Sequence, residues 1–105
     1  MYGLEENTIY KIKEIFSKYS KIEEVILYGS RAKGNYHNGS DIDITLKGKE
    51  LTLSNSVYPI EDELDELYLP YMFDISIYSH IKDQNLIDHI SRVGKVFYNT
   101  KVNLS

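Results

Sequence analysis

The sequence contains no cysteine. That absence excludes a disulfide framework, a thiol nucleophile and any thiolate metal site, and it is the usage expected in a reducing compartment. Long apolar runs are missing too: none approaches the roughly 20 residues that cross a bilayer as a helix. Glu5 and Glu6 stand where a secretory leader would carry basic residues, so a cytoplasmic location is expected. Basic charge is in deficit, with 12 Lys and Arg against 16 Asp and Glu and a net charge of −4. Domains that hold nucleic acid by neutralising phosphates are usually basic, so this balance argues against DNA or RNA while leaving cations for a local anion site. The three histidines share no ligand-like spacing, which argues against a histidine metal centre. Repeats, low-complexity tracts and linkers are absent. At 105 residues the chain is expected to form one domain, 1–105, around a core that needs no covalent staple.

What is present is a regular alternation of helical and strand patterns. Ile9, Ile12, Ile15, Phe16 and Tyr19 recur at helical spacing and predict a helix over 7–19, with Asn7 or Thr8 as its cap. Residues 24–28 (EVILY) form a short apolar, β-branched run that ends at Gly29 and reads as a buried strand. Residues 41–46 alternate, with Asp41, Asp43 and Thr45 on one face and Ile42, Ile44 and Leu46 on the other. A helix within 54–68 closed by Pro70, an alternating strand over 73–78, and a helix over 84–93 stopped by Gly94 complete the pattern, before a short strand or extended tail at 95–98. The order α-β-α-β-α-β-α indicates an α/β fold, a small sheet covered by helices.

Three features in this pattern carry chemistry. Tyr28-Gly29-Ser30-Arg31-Ala32-Lys33-Gly34 follows directly on a buried strand. A glycine there lets backbone approach a ligand, and a short helix opening at Ser30 would aim free N–H groups at an anion, with Arg31 and Lys33 adding positive charge. The plainer reading is a tight turn with an N-cap serine and two solvated bases. The second feature is Ser40-Asp41-Ile42-Asp43. Strand residues two apart share a face, so both carboxylates project together from a strand otherwise built for burial. Like charges so placed oppose each other unless a cation lies between them, and hard oxygen donors suit Mg²⁺. Solvated acids on a half-exposed strand are the alternative. The third feature is Asp74, which becomes a third carboxylate beside the first two if its strand neighbours theirs. His37 lies in the intervening loop as a candidate contact to phosphate or acceptor, whereas His80 and His89 read as surface or partly packed. The acidic run 61–66 reads as the solvated face of a helix.

Gly29-Ser30, ten residues, then Asp41-Ile42-Asp43 with a later strand acid at Asp74 resembles the DNA polymerase beta type nucleotidyltransferase superfamily. Its six fixed positions (Gly29, Ser30, Gly34, Ser40, Asp41, Asp43) coincide by chance about once in 10⁷ starts at average residue usage. The short chain and its ending, 86–98, look like the minimal nucleotidyltransferase (MNT) family, antitoxins paired with HEPN ribonuclease toxins. The resemblance implies a small mixed sheet flanked by helices, with Asp41, Asp43 and Asp74 as catalytic and metal-binding acids. It further implies Gly29, Ser30, Arg31 and Ser40 at the nucleotide, Mg²⁺ as cofactor, and AMP transfer from ATP to a tyrosine of a HEPN-family toxin. Neutralisation of the toxin by occlusion alone, or transfer to a small molecule, are the rival readings, and homo- or hetero-oligomers both remain open.

Overall fold

The computed structural model describes residues 1–101. Helix α1 (Glu6–Ser17) leads into β1 (Ile22–Tyr28), a single-turn helix α2 (Ser30–Lys33) and β2 (Ile42–Gly48). A π-helical turn at Leu53–Val57 runs into α3 (Tyr58–Asp65), followed by β3 (Phe73–Ile77), a 3₁₀ turn at Tyr78–His80, α4 (Gln84–Val93) and β4 (Lys95–Asn99). The four strands form one mixed sheet in the order β3-β2-β1-β4. Strand β1 runs antiparallel to β2 and β4, while β2 and β3 are parallel. The expected α/β class, mixed sheet and element order are all observed, and the C-terminal segment resolves as a strand rather than a tail.

One face of the sheet carries the main core. Val25, Leu27, Ile42, Ile44 and Leu46 point into it and meet Ile12, Ile15 and Phe16 of α1 and Ile60 and Leu64 of α3. A register shift between Val25 and Ile26 leaves Phe97 without a partner on β1, and its ring turns into this core against Phe16 (centroids 6.2 Å, near perpendicular). The opposite face carries a smaller cluster, in which Ile90 of α4 packs with Ile26 and Tyr28, and Leu86, Val93, Tyr78 and Ile81 lie beside them. One half-covered face is what leaves room for a site.

The boundaries differ from the sequence expectations where local chemistry overrides periodicity. Helix α1 begins at Glu6 with Glu5 as its cap and no side-chain cap bond, so neither Asn7 nor Thr8 caps it. Tyr19 lies beyond that helix and its hydroxyl donates to Glu63, which also accepts from Lys18. The acidic run is therefore not uniformly solvated: Glu63 turns back to tie α3 to the end of α1, and the two donors hold its carboxyl below the usual range. Thr52 and Asn55 form a capping box that starts the π-helical turn, and Pro59 sits in the first turn of α3, where its missing N–H costs nothing. Gly94 ends α4, but in an extended conformation (φ −63, ψ 144) rather than the left-handed one that favours glycine. Its lack of a side chain serves packing instead, because a Cβ there would meet the Ile90 carbonyl and Ile26 Cγ2.

Candidate active site

Strand register builds the site. Tyr28 of β1 stands opposite Asp43 of β2, and Asp43 stands opposite Asp74 of β3, so the three side chains form one row across the sheet. Neighbouring strands lie about 4.8 Å apart, which puts the two carboxylates within direct electrostatic reach. Ile26, Thr45 and Ser76 form the row behind, where Thr45 is fully buried and its hydroxyl donates to the Ser76 carbonyl at 3.4 Å. Asp41 lies one residue before β2 and is exposed, as is Asp74, whereas Asp43 is half-buried. Burial pushes the Asp43 carboxyl up, and the Asp74 and Asp41 charges push it the same way; only His89 acts in the opposite sense. Tyr28 is also pushed up by burial and by Asp74 and Asp43, against the Ser76 hydroxyl, which is buried and lacks a hydrogen-bond partner of ordinary geometry.

Gly29 turns the chain out of β1 beside this row. Its φ of 77 and ψ of −156 fall in a region essentially reserved for glycine, and a Cβ would collide with Asp43 Oδ2. The backbone thus closes directly over the half-buried acid. Helix α2 begins at the next residue, as expected, but Gly29 is its N-cap and Ser30 its first residue, so the serine is not the cap. The Ser30 hydroxyl has no hydrogen-bond partner among the described residues, and Lys33, at the end of the same turn, is exposed.

Two of the expected nucleotide contacts also hold the frame of the site. Arg31 is 2% exposed and donates from Nε to the Ser40 carbonyl and from Nη1 to the Tyr2 carbonyl. Its guanidinium also lies over the rings of Tyr71 (4.6 Å) and Tyr36 (5.3 Å). This geometry makes Arg31 a structural clamp joining the N-terminal segment, α2 and the loop before β2, rather than a solvated charge. Ser40 Oγ accepts from the His37 N–H at 2.7 Å and so closes that loop. Gly29, Asp41, Asp43 and Asp74 are brought together; Arg31 and the Ser40 hydroxyl serve the frame around them.

His89 is partly buried, as its reading as surface or partly packed allows, but nothing in the sequence placed it beside the acids. Helix α4 sets its ring edge-on to Tyr28, with centroids 6.2 Å apart and planes at 81°, which places an imidazole beside the acid row. The available signal was helical spacing: Leu86, Ile90 and Val93 define the inner stripe of α4, and His89 flanks it.

A metal ion suits the donor chemistry. Carboxylates in one row, with Asp43 under like-charge pressure from two others, are relieved by a hard cation between them. No group of three His, Cys, Asp or Glu side chains among the described residues forms a ready-made cage. Mg²⁺ takes one or two carboxylates and fills its other positions with water and phosphate oxygens, so Asp41 and Asp43 are donors of the kind it uses.

The polymerase beta nucleotidyltransferase model matches residues 10–103, nearly the whole chain. The protein belongs to the polymerase beta nucleotidyltransferase family. No curated protein matches it in sequence. Among solved structures, a toxin–antitoxin complex with AMP-PNP aligns over 95% of this nucleotidyltransferase and 77% of the other chain, at 22% identity and a TM-score of 0.70. A complex of a tri-AMPylated Shewanella oneidensis HEPN toxin with an MNT antitoxin aligns over 98% and 76%, at 17% identity and a TM-score of 0.67. The MntA-HepT toxin–antitoxin aligns over 94% and 76%, at 16% identity and a TM-score of 0.67. These likenesses show the shared fold. No helix among the described residues of this family member is long and apolar enough to cross a membrane.

Proposed function

We propose that this protein is an MNT-type antitoxin that transfers AMP from ATP, with Mg²⁺, to a tyrosine hydroxyl of a HEPN-family toxin in the cytoplasm. The observation that carries the reading is the in-register row Asp43–Asp74 beside the glycine-only turn at Gly29. The fold shared with an AMP-PNP-bound toxin–antitoxin and with an antitoxin complexed to a tri-AMPylated toxin points in the same direction.

In this reading the backbone around Gly29 and the hydroxyl of Ser30 grip the terminal phosphates, and Lys33 adds charge in the place first assigned to Arg31. Asp41 and Asp43 hold the ion, which when bound neutralises and aligns the triphosphate oxygens. Asp74 orients the acceptor hydroxyl and takes its proton. The acceptor oxygen bonds to the α-phosphorus as the bond from that phosphorus to the α,β-bridging oxygen breaks, and pyrophosphate leaves. Positioning and electrostatics supply most of the acceleration, as in related phosphoryl chemistry. Intact-mass spectrometry of a HEPN-family partner incubated with the protein and Mg-ATP tests this. One or more added AMP masses are expected, with loss of the partner's ribonuclease activity. An unmodified partner that is nonetheless fully inhibited, by wild type and by Asp41→Asn/Asp43→Asn alike, would establish occlusion instead.

A further inference from the structure

The sheet has two edges, β3 and β4, and of these only β3 carries a member of the acid row. Alternation along β3 sends Asp74 and Ser76 to the reactive face and Phe73 and Ile75 to the other. Below that second face, β3 and α3 bound a cleft of about 410 Å³ whose lining includes Glu61, Asp62, Asp65, Leu69, Met72 and Phe73. Met72 is 74% exposed, and Tyr68 on the same connection is 90% exposed. Among the described residues, none of the three acids takes part in an ion pair, in contrast to Glu63 on the same helix.

An edge strand presents unpaired backbone groups that an extended segment can join, while pockets for alternate side chains choose which segment. Resting on the nucleotidyltransferase reading above, we propose that the free edge of β3 docks the protein acceptor through an extended segment bearing lysine or arginine. Such a segment lies one strand spacing, about 4.8 Å, from β3. Its alternate residues face either the side of Asp74 or the cleft below. A tyrosine on the first side is delivered to the acid row. A lysine or arginine on the second lays its aliphatic stem on Leu69 and Met72 and its charged tip among Glu61, Asp62 and Asp65. Charge complementarity of this kind also speeds encounter. At the other edge, the cleft between α1 and β4 is lined by Tyr10, Val96 and Phe97 with both Lys13 and Glu14, so no sign of charge selects an occupant, and β1 separates β4 from the strand of Asp43.

The test is hydrogen–deuterium exchange of the full chain with a synthetic peptide of alternating tyrosine and lysine, and with its tyrosine–glutamate counterpart. The lysine peptide should slow exchange across residues 73–77 and bind Asp62→Lys/Asp65→Lys at least tenfold more weakly than wild type. The glutamate peptide should do neither. If circular dichroism shows the reversed variant misfolded, Asp62→Asn/Asp65→Asn replaces it, with at least threefold weaker binding expected. Protection at β4, or equal binding of both peptides or by both proteins, overturns the proposal. The thermal shift with Mg-ATP, recorded on the same samples, should be the same in the charge variants and wild type. Its absence from wild type, with β3 still protected, would refute the nucleotidyltransferase reading and leave the docking edge standing. A normal shift without β3 protection would refute the docking edge alone.

Discussion

Replacing Gly29 by alanine should damage the fold and the acid row together. The backbone there occupies φ 77, ψ −156. Holding a side-chain-bearing residue in that region costs about 1–3 kcal/mol. A second cost arises because the new Cβ overlaps Asp43 Oδ2, which must move away from its place opposite Asp74. Gly34 supplies the control: its φ is 91, but a Cβ there meets nothing within 4 Å. Gly34→Ala therefore pays backbone strain alone, about 1–2 kcal/mol. In a domain of this size each kcal/mol lowers Tm by about 4–8 °C. The discriminating quantity is the coupling between Gly29→Ala and Asp43→Ala, measured by urea denaturation at fixed pH. Removing the carboxylate first should make the alanine at 29 less costly, with a coupling of about 0.5–3 kcal/mol, the range for residues in contact. Gly34→Ala combined with Asp43→Ala should add independently. If the Gly29–Asp43 cycle closes within about 0.5 kcal/mol, the two residues do not touch in solution and the described geometry of the site is wrong.

Asp43→Asn should stabilise the nucleotide-free protein at neutral pH, because burial and the Asp74 and Asp41 charges raise this carboxyl when the chain is folded. A carboxyl raised on folding binds its proton more tightly in the native state, so its ionised form costs stability above the folded pKa, and that cost disappears as pH falls. Melting curves against pH should show the gain shrinking into the acid range; an asparagine variant that is less stable at neutral pH would contradict the repulsion argument. Ser30→Ala should change stability by less than about 0.5 kcal/mol, since the hydroxyl has no partner to lose, yet should slow nucleotide transfer. Wild-type transfer rates in that variant would remove Ser30 from the site. Arg31→Lys should cost about 1.5–3 kcal/mol in urea denaturation, the range for a lost hydrogen bond to a charged group, because an ammonium cannot reproduce the fork that reaches both the Ser40 and Tyr2 carbonyls. An unchanged midpoint would mean the clamp carries no load.

Much of this site was legible before any coordinates. Period-two alternation placed Asp41 and Asp43 together and set Asp74 at the head of another strand, and the parallel pairing of β2 with β3 then aligned Asp43 with Asp74. The fold class followed from alternating periods of 3.6 and 2, which depend on local sequence. The burial of Arg31 was not legible, because it is decided by residues far along the chain, Tyr2 and Tyr71, which no local pattern connects. Gly94 was legible as the stop of α4, but the close approach to Ile26 on another element that excludes a side chain there was not. His89 was read as surface or partly packed, and its place beside Tyr28 was hidden for the same reason: α4 reaches Tyr28 only after the sheet has formed. Local rules read the strands and the acids; the frame around them is tertiary.

The most direct test of the central claim uses ATP radiolabelled at either the α- or the γ-phosphate, with Mg²⁺ and a HEPN-family partner. Nucleotidyl transfer predicts that the α-label becomes covalently bound to partner tyrosine, that the γ-label leaves in pyrophosphate, and that Asp41→Asn/Asp43→Asn abolishes labelling while remaining folded. Label entering the partner from the γ-phosphate, or undiminished α-labelling by the double variant, would contradict the account.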